Sequence, residues 1–224
     1  MRFPTGRPRG MFADRTDAGR QLAAALEEYR GTDAVVAGLP RGGVPVAFEI
    51  AEALELALDV IVVRKLGAPW QPELALGAVG ENGVRVLNAS LATAAGIGDD
   101  ELAAIERREA AEVARRADLF RGRREAVALA GRGVIVVDDG VATGATTRAA
   151  CEVARAQGAT RVVLAVPVAP AESLPELAGA VDELVCLLAP VAFSSVGEWY
   201  ADFAQTSDAE VIELLGRAAR RAGL

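Results

Sequence analysis

Five uninterrupted apolar runs punctuate the chain: Ala34–Ala37, Val60–Val63, Val134–Val137, Val162–Val166 and Leu184–Leu188. They do not alternate with polar residues, so they read as strands buried on both faces. Helical periodicity lies between them. In Arg20–Tyr29, Leu22, Leu26 and Tyr29 share one face and Gly31 is the stop. Pro45 opens a helix to about Leu56, at a position where its missing N–H costs nothing. Asp99 or Asp100 caps a long charged helix to about Phe120, with Leu102, Ile105, Val113 and Phe120 on a stripe that Glu109 interrupts. Further helices fit Thr146–Gln157, closed by Gly158, a short one near Leu174–Leu177, and about Asp208–Ala219. Leu74–Val79 and Val84–Leu87 are weaker strands that fit a hairpin turning at Glu81-Asn82-Gly83. The alternation predicts an α/β fold, a parallel sheet with helices on both faces, in a single domain over 1–224.

Right-handed crossovers bring the loops after these strands to one sheet edge. The most informative loop follows Val134–Val137: Asp138-Asp139-Gly140-Val141-Ala142-Thr143-Gly144-Ala145-Thr146-Thr147. Two carboxylates at a strand's end can accept hydrogen bonds from vicinal sugar hydroxyls. The small and hydroxyl residues behind them lead into a helix whose amino end suits a phosphate. A diol and a phosphate held side by side describe a ribose 5-phosphate. The plainer alternative is a strand–turn–helix whose acids only cap the next element. A second loop, Gly38-Leu-Pro-Arg41-Gly42-Gly43, follows the first strand. Its paired glycines allow backbone N–H groups close to an anion, and Arg41 adds a fork of donors. Arg64-Lys65 ends the second run with two cations.

Composition narrows the chemistry. The 224 residues, 52% hydrophobic, can bury a full core, and the formal net charge of −7 argues against nucleic acid as a partner. No apolar stretch is long enough for a membrane span, and the basic start lacks a secretory signal's apolar segment, so a cytoplasmic location is expected. Cys151 and Cys186 lie in apolar segments and read as core thiols rather than a bridge. There is no histidine. That removes a Ser-His-Asp triad, a histidine-held metal and any imidazole base.

The Val134–Thr147 stretch resembles the phosphoribosyl pyrophosphate (PRPP) motif of the type I phosphoribosyltransferases. Leu-Pro-Arg-Gly-Gly-Val-Pro-Val-Ala, Glu-Leu-Ala-Leu-Gly-Ala-Val and Trp-Tyr-x-Asp-Phe look like a bacterial group of that family whose acceptor the motif does not define. The resemblance implies attack by a base nitrogen on the anomeric carbon of PRPP and departure of Mg²⁺-pyrophosphate. Asp138 and Asp139 would hold the ribose hydroxyls, directly or through Mg²⁺. Val141, Ala142, Thr143, Gly144, Ala145, Thr146 and Thr147 would bind the 5-phosphate. Arg41, Gly42, Gly43, Arg64 and Lys65 would bind pyrophosphate, with Arg41 and Lys65 aiding its departure. It also places a non-proline cis peptide in the Leu39–Gly42 loop, next to Arg41. Leu66–Gly83 matches the family's mobile loop, with Trp70 as a cover and Glu73 and Glu81 as its carboxylates; a rigid hairpin is the alternative. A hood over the base falls at about 191–206, with Phe193, Trp199 and Tyr200 as weak base-stacking candidates and residues 1–15 as a second contributor. An ordinary terminal core fits those aromatics equally well.

Two departures matter. Hypoxanthine-guanine enzymes usually carry an Asp at the place of Ala142, which weakens a 6-oxopurine reading. Gly140 stands where the family more often has a bulky apolar residue. The expected partners are therefore PRPP and an unassigned base, with Mg²⁺ as cofactor, no nucleic acid, no membrane, and a homodimer only by analogy. A PRPP-binding regulator without turnover is the second reading.

Overall fold

The computed structural model describes residues 11–68 and 70–223; the side chains of 71–75 and 89 lie outside that description. Helix α1 (Arg15–Ala25) is followed by strand β1 (Val35–Gly38), helix α2 (Gly43–Leu54) and strand β2 (Ala57–Val60). An antiparallel unit then departs from the sheet: β3 (Val63–Ala68), β4 (Gln71–Gly80) and β5 (Arg85–Leu87). Helices α3 (Ala89–Ala94) and α4 (Asp99–Arg121) lead to β6 (Gly133–Val137), α5 (Ala145–Ala156), β7 (Arg161–Val168), α6 (Leu174–Gly179), β8 (Glu183–Leu188) and α7 (Asp208–Ala222). The main sheet has the order β2-β1-β6-β7-β8, parallel throughout.

The apolar runs bury both faces by strand pleating. Val36, Ile135, Val137, Val163 and Val185 pack into one core with α1, α2 and α7. Val35, Val134, Val136, Val162, Leu164 and Cys186 pack into the other with α5 and α6. Both cysteines are buried and free, as the sequence implies. Among the described residues, no helix is long and apolar enough to cross a membrane.

The second apolar run departs from expectation. Val60–Val63 is not one strand: β2 stops at Val60, and Val63 already begins β3 of the other sheet. Arg121 explains the anchoring there. It lies at the end of α4, bonds both oxygens of Asp59 (2.8 and 3.0 Å), donates to the Val60 carbonyl (2.8 Å) and pairs with Glu81. Asp59 also accepts from the Val127 amide (2.8 Å), which covers the free edge of β2. Helix α1 begins earlier than its apolar spacing suggests because Asp14 caps the Asp17 amide (2.8 Å) and Asp17 accepts from the Ala13 amide (3.0 Å), a reciprocal cap.

Candidate functional site

β1 and β6 are neighbours, but the chain proceeds from them in opposite lateral directions, to β2 on one side and to β7 and β8 on the other. The crevice outside the carboxyl ends of such strands is where open α/β sheets bind ligands. Both loops singled out in the sequence emerge there. They touch: a Cβ built on Gly42 would lie 2.0 Å from Asp139 Oδ2, and one on Gly43 would lie 2.5 Å from the Val137 carbonyl oxygen. Only glycines permit this approach. The peptide bond Pro40–Arg41 is cis, beside Arg41 as the resemblance implies. The half-exposed Arg41 guanidinium stands 3.7 Å from Asp208 at the start of α7.

The paired acids are half-buried at the mouth of the crevice. Asp138 Oδ1 accepts from the Asp139 amide (2.9 Å), and its Oδ2 faces the Thr147 hydroxyl at 3.4 Å. Burial, and next the neighbouring Asp139 carboxylate, push Asp138 well above the usual carboxylate range. Asp139 has a partner the sequence did not reveal. Arg15 Nε and Nη2 both reach its Oδ2, at 2.8 and 2.7 Å.

Behind the acids, Gly144 takes φ +76°, a conformation that favours glycine, and starts α5. No side chain caps that helix end. The first-turn amides of Ala145, Thr146 and Thr147 therefore point outward without helical partners, an anion site in the making. Ala142, Thr143 and Thr146 are exposed around them. Two members of the expected phosphate set are otherwise engaged. Val141 gives its amide to the Val168 carbonyl (2.9 Å) and its side chain to the core. Thr147 is buried, with its hydroxyl turned to Asp138 rather than outward.

The basic pair divides between two faces. Pleating sends Arg64 towards α4, where Glu109 binds it at 2.9 Å. Burial alone would raise the Glu109 carboxyl, but hydrogen bonds from Arg64 and Arg108 outweigh it and hold the group below its usual range. This accounts for the acid inside the apolar stripe of α4. Lys65 lies opposite Ala78, which packs in the core with α5, so it shares the α5 side of the hairpin.

The Leu66–Gly83 stretch is largely the β3–β4 hairpin. Trp70 stands at its tip, 57% exposed. Glu81 does not belong to that tip. It closes the far end of β4 and is held by Arg121, so its assignment as a closing carboxylate is corrected. The Glu73 side chain lies outside the described residues.

The terminal segments meet over the acids. Phe12 bridges Tyr200 in parallel, with backbone hydrogen bonds from Phe12 to Trp199 (2.8 Å), from Ala201 to Phe12 (2.8 Å) and from Asp202 to Ala13 (2.9 Å). The part of 1–15 before Met11 lies outside the described residues. Tyr200, expected to stack on a base, is instead buried between Phe12 and Phe203, with centroids at 5.3 and 4.9 Å, and donates its hydroxyl to the Asp139 carbonyl at 2.6 Å. It braces the backbone that carries the acid. Trp199 and Phe193 are half-buried. Phe203, the remaining aromatic of this terminal segment, is 36% exposed, with the Arg15 guanidinium 4.0 Å above its ring. Val196 explains Gly140: a Cβ there would meet Val196 Cγ1 at 2.4 Å, so the covering segment occupies the space a larger residue would need.

Comparison with known proteins agrees with this geometry. Residues 13–198 match the family described as the phosphoribosyl transferase domain. Two Mycobacterium tuberculosis proteins, MT0597 of strain CDC 1551 / Oshkosh and Rv0571c of strain H37Rv, bear names that assign them to the phosphoribosyl transferases. Each is 54% identical over 210 residues, covering 94% of this chain and 47% of the relative. The chain thus spans about half the length of these curated relatives. The crystal structure of TT1426 from Thermus thermophilus superposes with a TM-score of 0.84 at 44% identity, covering 92% of this chain and 97% of that one. With the acids, the glycine loop and the uncapped helix meeting at one crevice, and with the match spanning most of its length, the chain belongs to the phosphoribosyltransferase family of type I.

Proposed function

We propose that this chain transfers a 5-phosphoribosyl group from PRPP to a nitrogenous base and releases pyrophosphate. The observation that carries this reading is the contact between Gly42 and Asp139 beside the uncapped amino end of α5. Three subsites then adjoin one another, amide donors for the 5-phosphate, acids for the diol and the Arg41–Gly43 loop for the pyrophosphate, and we assign Lys65 to the last of them. A nitrogen lone pair forms the new bond to the anomeric carbon as the carbon–oxygen bond to pyrophosphate breaks, and that electron pair leaves with the pyrophosphate. The residues act by holding both partners in line and by donating to the departing anion.

Mg²⁺ fits this site as a companion of the substrate. Among the described residues, no group of three or more acids, cysteines or histidines could cage a metal. Asp138 and Asp139 form an acidic pair of the hard-oxygen type that suits the ion when phosphate oxygens supply the rest of its shell. When bound, Mg²⁺ neutralises charge on the pyrophosphate.

We assign the acceptor subsite to Phe203, Trp199 and Phe193, with the exposed Trp70 at the hairpin tip as its cover. Titration calorimetry with Mg-PRPP, followed by a pyrophosphate-release screen over purine and pyrimidine bases, tests the reading. Binding with release on one class of base is expected. Binding without release on any base favours a PRPP-sensing regulator, and absence of binding overturns the proposal.

A further inference from the structure

We propose that Arg15 is the positioning residue of the ribose-binding acid, so that the amino-terminal segment sets how tightly the sugar is held. This rests on the phosphoribosyl reading above. The reciprocal cap of Asp14 and Asp17 fixes the first turn of α1, and with it the root of the Arg15 side chain. The guanidinium is then committed on every nitrogen. Nε and Nη2 converge on Asp139 Oδ2, Nη1 donates to the Ala204 carbonyl at 2.7 Å, and the guanidinium carbon stands 4.0 Å from the centre of the Phe203 ring.

Because both contacts fall on one carboxylate oxygen, Arg15 holds Asp139 by its Oδ2 edge and leaves the Oδ1 edge uncovered by its own guanidinium. Arg15 also sits at the junction of two subsites: a Cβ on Gly42 would be 3.2 Å from its Nε. Only 12% of the Arg15 side chain and 15% of the Asp139 side chain are exposed, so solvent screens the pair weakly. Without the guanidinium, Asp139 would face Asp138 with no counter-charge, and the two carboxylates would rotate apart. Lysine would restore the charge but not the fork or the stacking.

The test uses the intact chain and two probes in titration calorimetry. Ribose 5-phosphate needs the acids and the helix amino end, and inorganic pyrophosphate offered without Mg²⁺ needs only the Arg41–Gly43 loop. Arg15→Gln is expected to weaken ribose 5-phosphate about 10- to 100-fold, the range seen when a carboxylate or imidazole loses its orienting partner. Arg15→Lys is expected to recover part of that loss, and in both variants metal-free pyrophosphate is expected to weaken several-fold less than ribose 5-phosphate does. In an Asp139→Asn background, Arg15→Gln is expected to cost nothing further, because the cycle isolates their coupling. If Arg15→Gln does not fold, Arg15→Lys carries the same cycle. Parent-like binding of ribose 5-phosphate by Arg15→Gln, at any melting temperature, overturns the assignment. So does an equal loss in the Asp139→Asn background. A parent chain that binds neither probe overturns the phosphoribosyl reading, and the assignment with it.

Discussion

Gly42→Ala puts the contact between the two loops under direct strain. Gly42 has φ −62° and ψ −32°, which alanine adopts freely, so the backbone offers no objection. The added methyl does: it would lie 2.0 Å from Asp139 Oδ2 and 2.6 Å from its Cγ. Non-bonded carbon and oxygen settle beyond about 3 Å, so the carboxylate or the loop must retreat by about 1 Å. Arg15 holds that oxygen and would itself lie 3.2 Å from the new methyl, and the Tyr200 hydroxyl holds the Asp139 carbonyl, so neither end yields cheaply. Overpacking of this kind costs about 1–3 kcal/mol. For a domain of this size that is a fall in melting temperature of roughly 2–12 °C. A displacement of about 1 Å at a binding group costs up to about 100-fold in function, so Mg-PRPP affinity should fall much further than stability. Differential scanning calorimetry and titration calorimetry of Gly42→Ala measure both effects. Gly179→Ala, where a Cβ meets nothing within 4 Å, is the control. A Gly42→Ala protein that melts and binds like the parent would mean that the Arg41–Gly43 loop and Asp139 are not in contact.

Three further outcomes follow from the same structure. Asp138 is raised in the folded state by burial and by Asp139, so the stability it lends is full below the ordinary carboxylate value of about 4 and is lost as pH rises through its folded value. Asp138→Asn should therefore exceed the parent in stability at neutral pH, with the gap closing in urea titrations below about pH 4, while its PRPP affinity falls. Arg121→Met leaves Asp59 and Glu81 buried without their cation, and should lower the unfolding free energy by about 3–5 kcal/mol in urea. Burial pushes the Cys151 and Cys186 thiols up to about 12, so neither should react with a disulfide reagent at about pH 8 until the protein is unfolded.

The sequence exposed the strands β1, β6, β7 and β8 because each is buried on both faces and carries an unbroken apolar run. The same rule misplaced the second run. Val60, Ile61, Val62 and Val63 look alike, and nothing local marks where the chain leaves one sheet for another; Arg121 and Asp59 decide that from elsewhere. The acids and the glycine loop were legible because their chemistry lies in consecutive residues. Arg15 was not, since its partner is 124 positions away and an arginine in the first turn of a helix gives no signal of its own. Tyr200 was noticed as an aromatic, yet only packing distinguishes a ring that meets a ligand from one that braces a backbone carbonyl. Glu109 and Arg64 explain one another only in three dimensions.

The clasp between the two ends of the domain also bears on how the protein is born. Arg15 leaves the ribosome 189 positions before Ala204, its carbonyl acceptor. At about 5–20 residues per second that is a wait of roughly 10–40 s. Throughout that interval Phe12 is bare, and the nascent sheet displays its acids with no roof. Synthesis must therefore pass Ala204 before the clasp can close, and a chain cut short after β8 would carry both acids without the Arg15–Ala204 and Phe12–Tyr200 contacts.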